Sequence, residues 1–313
     1  MGTPDFAIPI LDAIEEAGHH IVFVVTQPDK ARGRGKKVSY SPVKEWAVEH
    51  NKPVYQPERI RNPESIEMVN TIPAEVCVVA AFGQILPKEI LEHPKYGCVN
   101  VHASLLPKYR GAAPIQWSVL NGDEFTGVTT MQMGEGLDNG DILLQEKVPV
   151  ASDETGGSLF EKLSHVGAEL LVKTLDGLEK GTITPVPQDE KAATHVGLIR
   201  KDMGKLDFSS SAEILERHVR GFYPWPGTYT YLDGKTLKVY KASCIAESEL
   251  TATEKEASFG TVVRLSTEGD GSIAVRCADG ALSMITVQLE GKKRMNASAF
   301  LNGHALKVGD RVG

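Results

Sequence analysis

The sequence predicts an α/β protein, a doubly wound and mostly parallel sheet followed by a small β-barrel, and three observations carry that reading. From residue 21 to about residue 180, β-branched runs alternate with helical patterns, the order that puts parallel strands between crossover helices. Beyond residue 206 the alternation gives way to five short strands set between turn residues, as in a Greek-key barrel. A chain of 313 residues is long enough for two cores, and between them periodicity fades into Pro, Gln, Asp, Lys and Gly. The expected division is therefore residues 1–181, a linker at 182–205, and residues 206–313.

At the start, Gly2 allows a tight turn and Pro4 stands at the first helical position, with Phe6, Ile8, Ile10, Leu11 and Ile14 as the apolar face. Residues 21–25 form a β-branched and aromatic run, expected of a parallel strand buried on both faces. The next loop holds five basic residues, Lys30, Arg32, Arg34, Lys36 and Lys37, and no acid between them. Ser41 caps a helix that opens with Pro42 and runs to about His50. A short strand at 53–56, a helix at 63–70 and an apolar strand at 76–81 follow, and residues 82–87 turn into a short helix.

The central strand, 98–102, brings Asn100 and His102 to its end, and Ser104-Leu105-Leu106-Pro107 turns away from it. A helix at 115–121, strands at 127–133 and 141–150, and a long amphipathic helix at 158–180 complete the Rossmann-like first part. Leu159, Leu163, Val166, Leu170, Val172 and Leu175 mark the core face of that helix, and Gly181 ends it. A helix at 212–221 then leads to Tyr223-Pro224-Trp225-Pro226-Gly227, read as a packing corner. Strands at 228–232, 237–244, 260–265, 273–277 and 281–289 suit an OB-fold-like barrel.

Composition is that of a globular protein, and the formal net charge of -7 argues against wholesale coating of nucleic acid while leaving a local basic patch open. No apolar run reaches the roughly 18 residues of a membrane span, and the first residues lack a signal-peptide pattern. A cytoplasmic protein is expected, or an organellar one that has lost its targeting segment. Cys77, Cys98, Cys244 and Cys277 are widely spaced among apolar residues, so they read as buried small hydrophobes and not as a zinc or redox set.

Side chains at i and i+2 of a strand share a face, so Asn100 and His102 present an amide and an imidazole together at a strand end, where open α/β sheets place ligands. Asp138 and Asp141 lie in a loop with Gly134, Gly136 and Gly140, and a loop Asp suits an imidazole whose tautomer must be fixed. Asn, His and Asp without a nucleophilic Ser or Cys suggest direct transfer instead of a covalent intermediate. By spacing alone, a histidine after a strand is more often a hydrogen-bonded structural residue. Likewise the basic loop is either a solvated turn or an arm reaching phosphate oxygens.

The stretch from Cys98 to Leu144 resembles the signature of the folate-dependent formyltransferases in Asn100, His102, the Ser104 to Pro107 turn and the Gly136-Leu137-Asp138-x-Gly140-Asp141 loop. What the resemblance implies is specific. Asn100, His102 and Asp138 would be catalytic. Ser104, Leu105, Leu106, Pro107 and Asp141 would border the folate, and Phe82, Gly83 and Ile85 would line its pterin pocket with main-chain groups. The Gly33-Arg34-Gly35-Lys36-Lys37 insertion resembles the loop with which members acting on an initiator tRNA engage its acceptor end, a role carried first to Arg34 and then to Lys36 and Lys37. Lys292, Lys293 and Arg294, with Arg217, His218 and Arg220 on the earlier helix, fit further contact with tRNA phosphates.

Relatives also carry a short apolar strand ahead of the Gly2-Thr3-Pro4-Asp5-Phe6 turn, so a gap in the sheet is expected. The implied reaction moves a formyl group from 10-formyltetrahydrofolate, as co-substrate and without a metal, to the amino group of methionine on initiator methionyl-tRNA, by a monomer. The same core acting on a sugar nucleotide, or hydrolysing formyltetrahydrofolate, is the rival within the enzyme class. A tRNA-binding protein with a vestigial catalytic set is the rival outside it.

Overall fold

The computed structural model describes residues 1–32 and 37–313. These divide into two compact units. The first holds Met1–Ile115, Phe125–Pro149 and Leu159–Gly197, and the second holds Gln116–Glu124, Val150–Ser158 and Leu198–Gly313. The first unit thus extends through most of the stretch expected to be a linker.

In the first unit, α1 (Ile8–Glu16) is followed by β1 (Val24–Val25), which pairs in parallel with β4 (Val54–Tyr55). Between them come β2 (Lys30–Arg32) and β3 (Lys37–Ser39), an antiparallel pair, and α2 (Pro42–Glu49). The Ser41 hydroxyl accepts the Lys44 amide at 3.1 Å, a cap that contributes about 1 kcal/mol to such a helix. Beyond α3 (Pro63–Asn70), β5 (Cys77–Val79) and, after α4 (Lys88–Leu91), β6 (Cys98–His102) run parallel. β7 (Arg110–Gly111) and α5 (Pro114–Leu120) lead to β8 (Phe125–Gln132) and β9 (Ile142–Pro149), which extend the sheet antiparallel in the order β5-β6-β8-β9. All five residues of β6 are buried, as its apolar run requires of a strand covered on both faces.

The run at 21–25 yields only a two-residue strand. Met1 and Gly2 take the place beside it: the Gly2 amide donates to the Val25 carbonyl at 3.0 Å, the Ala80 amide donates to the Met1 carbonyl at 2.9 Å, and Gly2 bridges Ala80 in parallel. Alongside residues 21–23 there is a cavity of about 330 Å³ lined by Ile10, Ile21, Phe23, Val76, Val78 and their neighbours. Apolar sequence alone does not make a strand; a partner for its amides is also needed.

α6 (Gly156–Glu179) is the long amphipathic helix, and Leu159, Leu163 and Leu171 on it are fully buried. After it β10 (His195–Val196) pairs in parallel with β7. In the second unit, α7 (Ala212–Gly221) precedes β11 (Thr228–Leu232) and β12 (Lys235–Ile245). Following α8 (Ala252–Glu256) come β13 (Val262–Ser266), β14 (Ser272–Cys277), β15 (Gly280–Leu289) and β16 (Met295–Asn296). The order β11-β12-β15-β14-β13 is antiparallel throughout, with β16 on β15. Its core includes Leu215, Leu237, Val262, Ile273, Leu282, Met284 and Phe300.

Two readings of surface and interior are corrected. Cys244 is exposed, although its cross-strand partner Leu282 is fully buried. Trp225 is 56% exposed, so the Pro-Trp-Pro corner does not bury its indole.

Candidate active site

β6 ends in the two residues on which the site is built. Asn100 and His102 are each buried, at 8% and 7% exposure, and their cross-strand partners on β8 are Met131 and Thr129. The Nε2 of His102 lies 3.0 Å from the Tyr109 carbonyl. A carbonyl only accepts, so Nε2 carries the hydrogen and Nδ1 is the nitrogen left for chemistry. Nδ1 faces the Asp138 carboxylate, with Oδ2 at 3.8 Å. That same Oδ2 accepts the Gly111 amide at 2.8 Å, which fixes the carboxylate without the imidazole. The ring is oriented by Tyr109, and Asp138 supplies charge beside it. Asn100 makes no side-chain hydrogen bond among the described residues, so its amide is available to a ligand.

The turn after β6 is held from behind. Thr129 Oγ1 donates to the Ser104 carbonyl at 2.7 Å and accepts the Leu106 amide at 3.1 Å, while Gln145 Nε2 donates to the Leu106 carbonyl at 2.8 Å. The Ser104 hydroxyl donates to the Lys108 carbonyl at 2.6 Å. Leu105 lies over Gly127, where any Cβ would meet it at 2.6 Å and the Glu146 carbonyl at 2.2 Å. The polar groups of Ser104 and Leu106 are thus committed to the protein itself, which fixes the turn.

Asp138 sits in the left-handed region at φ 49°, a conformation that Asp and Asn tolerate better than most residues. At Gly140 a Cβ would stand 1.8 Å from the Gln132 carbonyl, which makes glycine obligatory there. Gln188 closes the loop: its Nε2 donates to the carbonyls of Asp138 and Gly140 at 2.9 and 2.7 Å, and its Oε1 accepts Arg110 Nε at 3.0 Å. Arg110, 3% exposed, then grips Glu190 with both terminal nitrogens at 2.9 and 2.8 Å. The hydrogen bonds from that guanidinium hold the Glu190 carboxyl below the usual carboxylate range. Thr194 finishes the clasp, its hydroxyl accepting the Tyr109 amide at 2.8 Å and its carbonyl the Arg110 amide at 2.8 Å.

Gln188, Glu190 and Thr194 escape a reading of the sequence, because they lie in an aperiodic polar stretch and act on loops 50 to 85 residues away. No local periodicity or motif marks them in the sequence.

Among the residues expected to meet the co-substrate, the structure brings Ile85 and Asp138 into one pocket of about 70 Å³, with Gln84, Leu86, Met131 and Leu137. Gly83 shapes the approach with φ 80°. Phe82 points away: its ring is in the core and its carbonyl accepts Gln27 Nε2 at 3.1 Å. Asp141 uses its carbonyl to accept the Gln132 amide at 2.8 Å and keeps a partly exposed side chain. Arg34 and Lys36 lie outside the described residues. The backbone of Lys37 belongs to β3, whose pairing with β2 makes the base of the basic loop. Just ahead of it Asp29 is anchored by Lys44 and Gln56, and Lys44 holds its carboxyl low. Lys292, Lys293 and Arg294 are exposed after β15 in the second unit.

Against known families, residues 1–175 match the formyl transferase domain and residues 198–305 match the formyl transferase C-terminal domain. A methionyl-tRNA formyltransferase of Lachnospira eligens is 55% identical over 313 residues, covering 100% of this chain and 98% of the relative. One from Agathobacter rectalis is 51% identical, covering 99% and 97%. The chain belongs to the methionyl-tRNA formyltransferase family. Solved formyltransferases share its fold. WlaRD, a sugar 3N-formyltransferase crystallised with dTDP and 5-N-formyl-THF, superposes with a TM-score of 0.64 at 19% identity, covering 93% of this chain and 97% of its own. The N-formyltransferase of Helicobacter canadensis, in complex with folinic acid and dTDP-3-aminofucose, gives 0.65 at 18%, covering 90% and 96%. Asn100 and His102 stand at the end of β6, and Asp138 faces His102 from the loop between β8 and β9.

Proposed function

We propose that the enzyme transfers the formyl group of 10-formyltetrahydrofolate to the amino group of methionine on initiator methionyl-tRNA, acting as a cytoplasmic monomer. The observation that carries this is the convergence of Asn100, His102 Nδ1 and the fixed Asp138 carboxylate at the end of β6, in a chain whose full-length relatives bear that activity in their names. No helix among the described residues is long and apolar enough to cross a membrane.

In the reaction the neutral amine attacks the formyl carbon, a tetrahedral oxyanion forms, and the bond to the folate nitrogen breaks. The amine gives up one proton and the leaving nitrogen gains one. The Asn100 amide is placed to donate to the oxyanion, and one such donor contributes about 3 to 4 kcal/mol to the barrier reduction. With Nε2 held by Tyr109, His102 donates through Nδ1 only when the ring is doubly protonated, and Asp138 beside it balances that charge. The pair also gives the proton a path from amine to leaving group. Apolar Ile85, Leu86, Met131 and Leu137 suit the flat face of a pterin, with Asp138 at the same pocket. Ser104, Leu105, Leu106, Pro107, Gly83 and Asp141, none of which lines that pocket, are assigned to the border of the folate beyond it. Arg34, Lys36 and Lys37 are assigned to the acceptor end of the tRNA, and Lys292, Lys293 and Arg294 to its phosphates.

Labelled formyl offered to the enzyme with charged initiator tRNA, a dTDP-amino sugar or water as acceptor tests the assignment. Transfer to the methionyl amine in preference to the other two supports it. Faster sugar formylation, or release of formate alone, would keep the site and overturn the substrate.

A further inference from the structure

The second unit carries an outward sheet face whose tyrosines the assignments above leave unused. We propose that the outer face of β11, β12 and β15 is a stacking surface for unpaired nucleotides of the tRNA, with Tyr231 and Tyr240 as its platforms. This rests on the tRNA assignment and specifies where in the second unit that RNA is held.

The placement follows from register. Tyr229 is paired with Lys238, and Lys238 with Gln288, so the three form one row across the strands. Tyr231 is two residues from Tyr229 on the same face, and their rings meet edge to face at 5.8 Å. Lys205 stands over the Tyr231 ring at 5.6 Å. On the far side the Tyr240 hydroxyl donates to Gln288 Oε1 at 2.6 Å, which brings that ring into the row. Arg294 lies 4.3 Å from the Tyr240 ring centre and 5.8 Å from that of Tyr223. Aromatic rings thus alternate with cations across one strip, and the rings are partly exposed.

Two features make this face suited to RNA. Lys205, Lys238, Lys292, Lys293 and Arg294 are exposed and form no salt bridge among the described residues. Of the acids at its margin, Asp202 pairs with Arg200 and Glu290 accepts the Thr236 amide, while Asp233 in the β11–β12 turn is exposed. The basic helix α7 differs: Arg217 pairs with Glu213, and Arg220 holds Glu216 at 2.6 and 2.9 Å as well as the Glu154 carbonyl. Those two arginines, expected to contact phosphates, are neutralised at home. Partly exposed rings beside cations that no carboxylate holds, two of them resting on the rings themselves, suit single-stranded nucleic acid, since every base stacks and every phosphate is charged.

The test is equilibrium binding of uncharged initiator tRNA to the full chain across a salt series, with Tyr231→Ala, Tyr240→Ala, both Tyr→Phe variants, and Lys238→Ala. Each alanine at a tyrosine should raise Kd roughly 5-fold to 100-fold at constant salt slope, and phenylalanine should restore it. Lys238→Ala should instead lower the salt slope by about one. Melting temperature checks that each variant is folded, and the exposed Lys238 variant reads the face even where a tyrosine variant unfolds. Wild-type affinity in folded Tyr231→Ala and Tyr240→Ala overturns the stacking surface, as does an unchanged slope in Lys238→Ala. Wild type that binds tRNA, with these losses, but formylates only a sugar would overturn the substrate and leave the face standing. Wild type that formylates tRNA with all variants binding normally would do the reverse.

Discussion

The two units use polar residues in opposite ways. Around Asn100 and His102 nearly every polar group is turned back on the chain: Thr129, Gln145, Gln188 and Thr194 saturate the carbonyls and amides of three loops. On the outer face of β11, β12 and β15 the tyrosines and cations are left to solvent and to one another. Reaction geometry tolerates little displacement, so its supports are short, buried and directional. Holding a long polyanion relies on charge and stacking area, which tolerate movement. Substitutions in the first unit should therefore act on turnover, and in the second on affinity.

The largest effect is expected from Asp138→Asn. Asparagine accepts the same φ and can keep the Gly111 hydrogen bond through its carbonyl, so only the charge beside His102 is lost. Turnover should fall on the order of 100-fold to 10,000-fold with melting temperature nearly unchanged. A mere few-fold loss would move catalysis elsewhere. Asn100→Ala should follow, lowering kcat roughly 100-fold to 1,000-fold if its amide meets the oxyanion, with the KM for tRNA little altered.

Arg110→Lys sharpens the contrast from the supporting layer. Lysine cannot hold Gln188 and both oxygens of Glu190 at once, so the Asp138 loop should loosen. We expect kcat to drop about tenfold and stability by about 1 to 3 kcal/mol, the cost of a buried polar group left unsatisfied. An equal rise in the KM for tRNA, with kcat intact, would place Arg110 on the substrate and not behind the loop.

The smallest effect concerns pH and the second unit. Burial pushes the His218 imidazole below its ordinary value, so the unfolded chain binds a proton that the folded one resists. Stability should therefore decline as pH falls below about 6.5, and His218→Gln should flatten that decline. Thermal melts at pH 5 and pH 8 measure it; identical differences in both proteins would remove His218 from the account.

Local patterns were legible wherever one segment decides its own conformation. The helices at 63–70 and 212–221 have the bounds that Pro63 and the Ser211 cap dictate, and β11 spans the residues its alternation marks. Asn100 and His102 were legible because strand periodicity alone puts them on one face. Legibility ended where a distant partner decides. Residues 21–23 are apolar yet outside any strand, Gln188 and Glu190 look like linker until the Asp138 loop and Arg110 are beside them, and Trp225 is exposed despite its flanking prolines. Nor does sequence tell a free arginine from one neutralised a helical turn away, as Arg217 and Arg220 are.

The central claim is that a charged Asp138 beside a Tyr109-oriented His102 drives formyl transfer to the methionyl amine. Single-turnover transfer of labelled formyl from 10-formyltetrahydrofolate to charged initiator methionyl-tRNA tests it most directly, with wild type beside Asp138→Asn at saturating concentrations of both substrates. The account predicts rapid transfer by wild type and, in the variant, retained binding of both substrates with transfer slowed by at least about 100-fold. Equal single-turnover rates in the two proteins would contradict it.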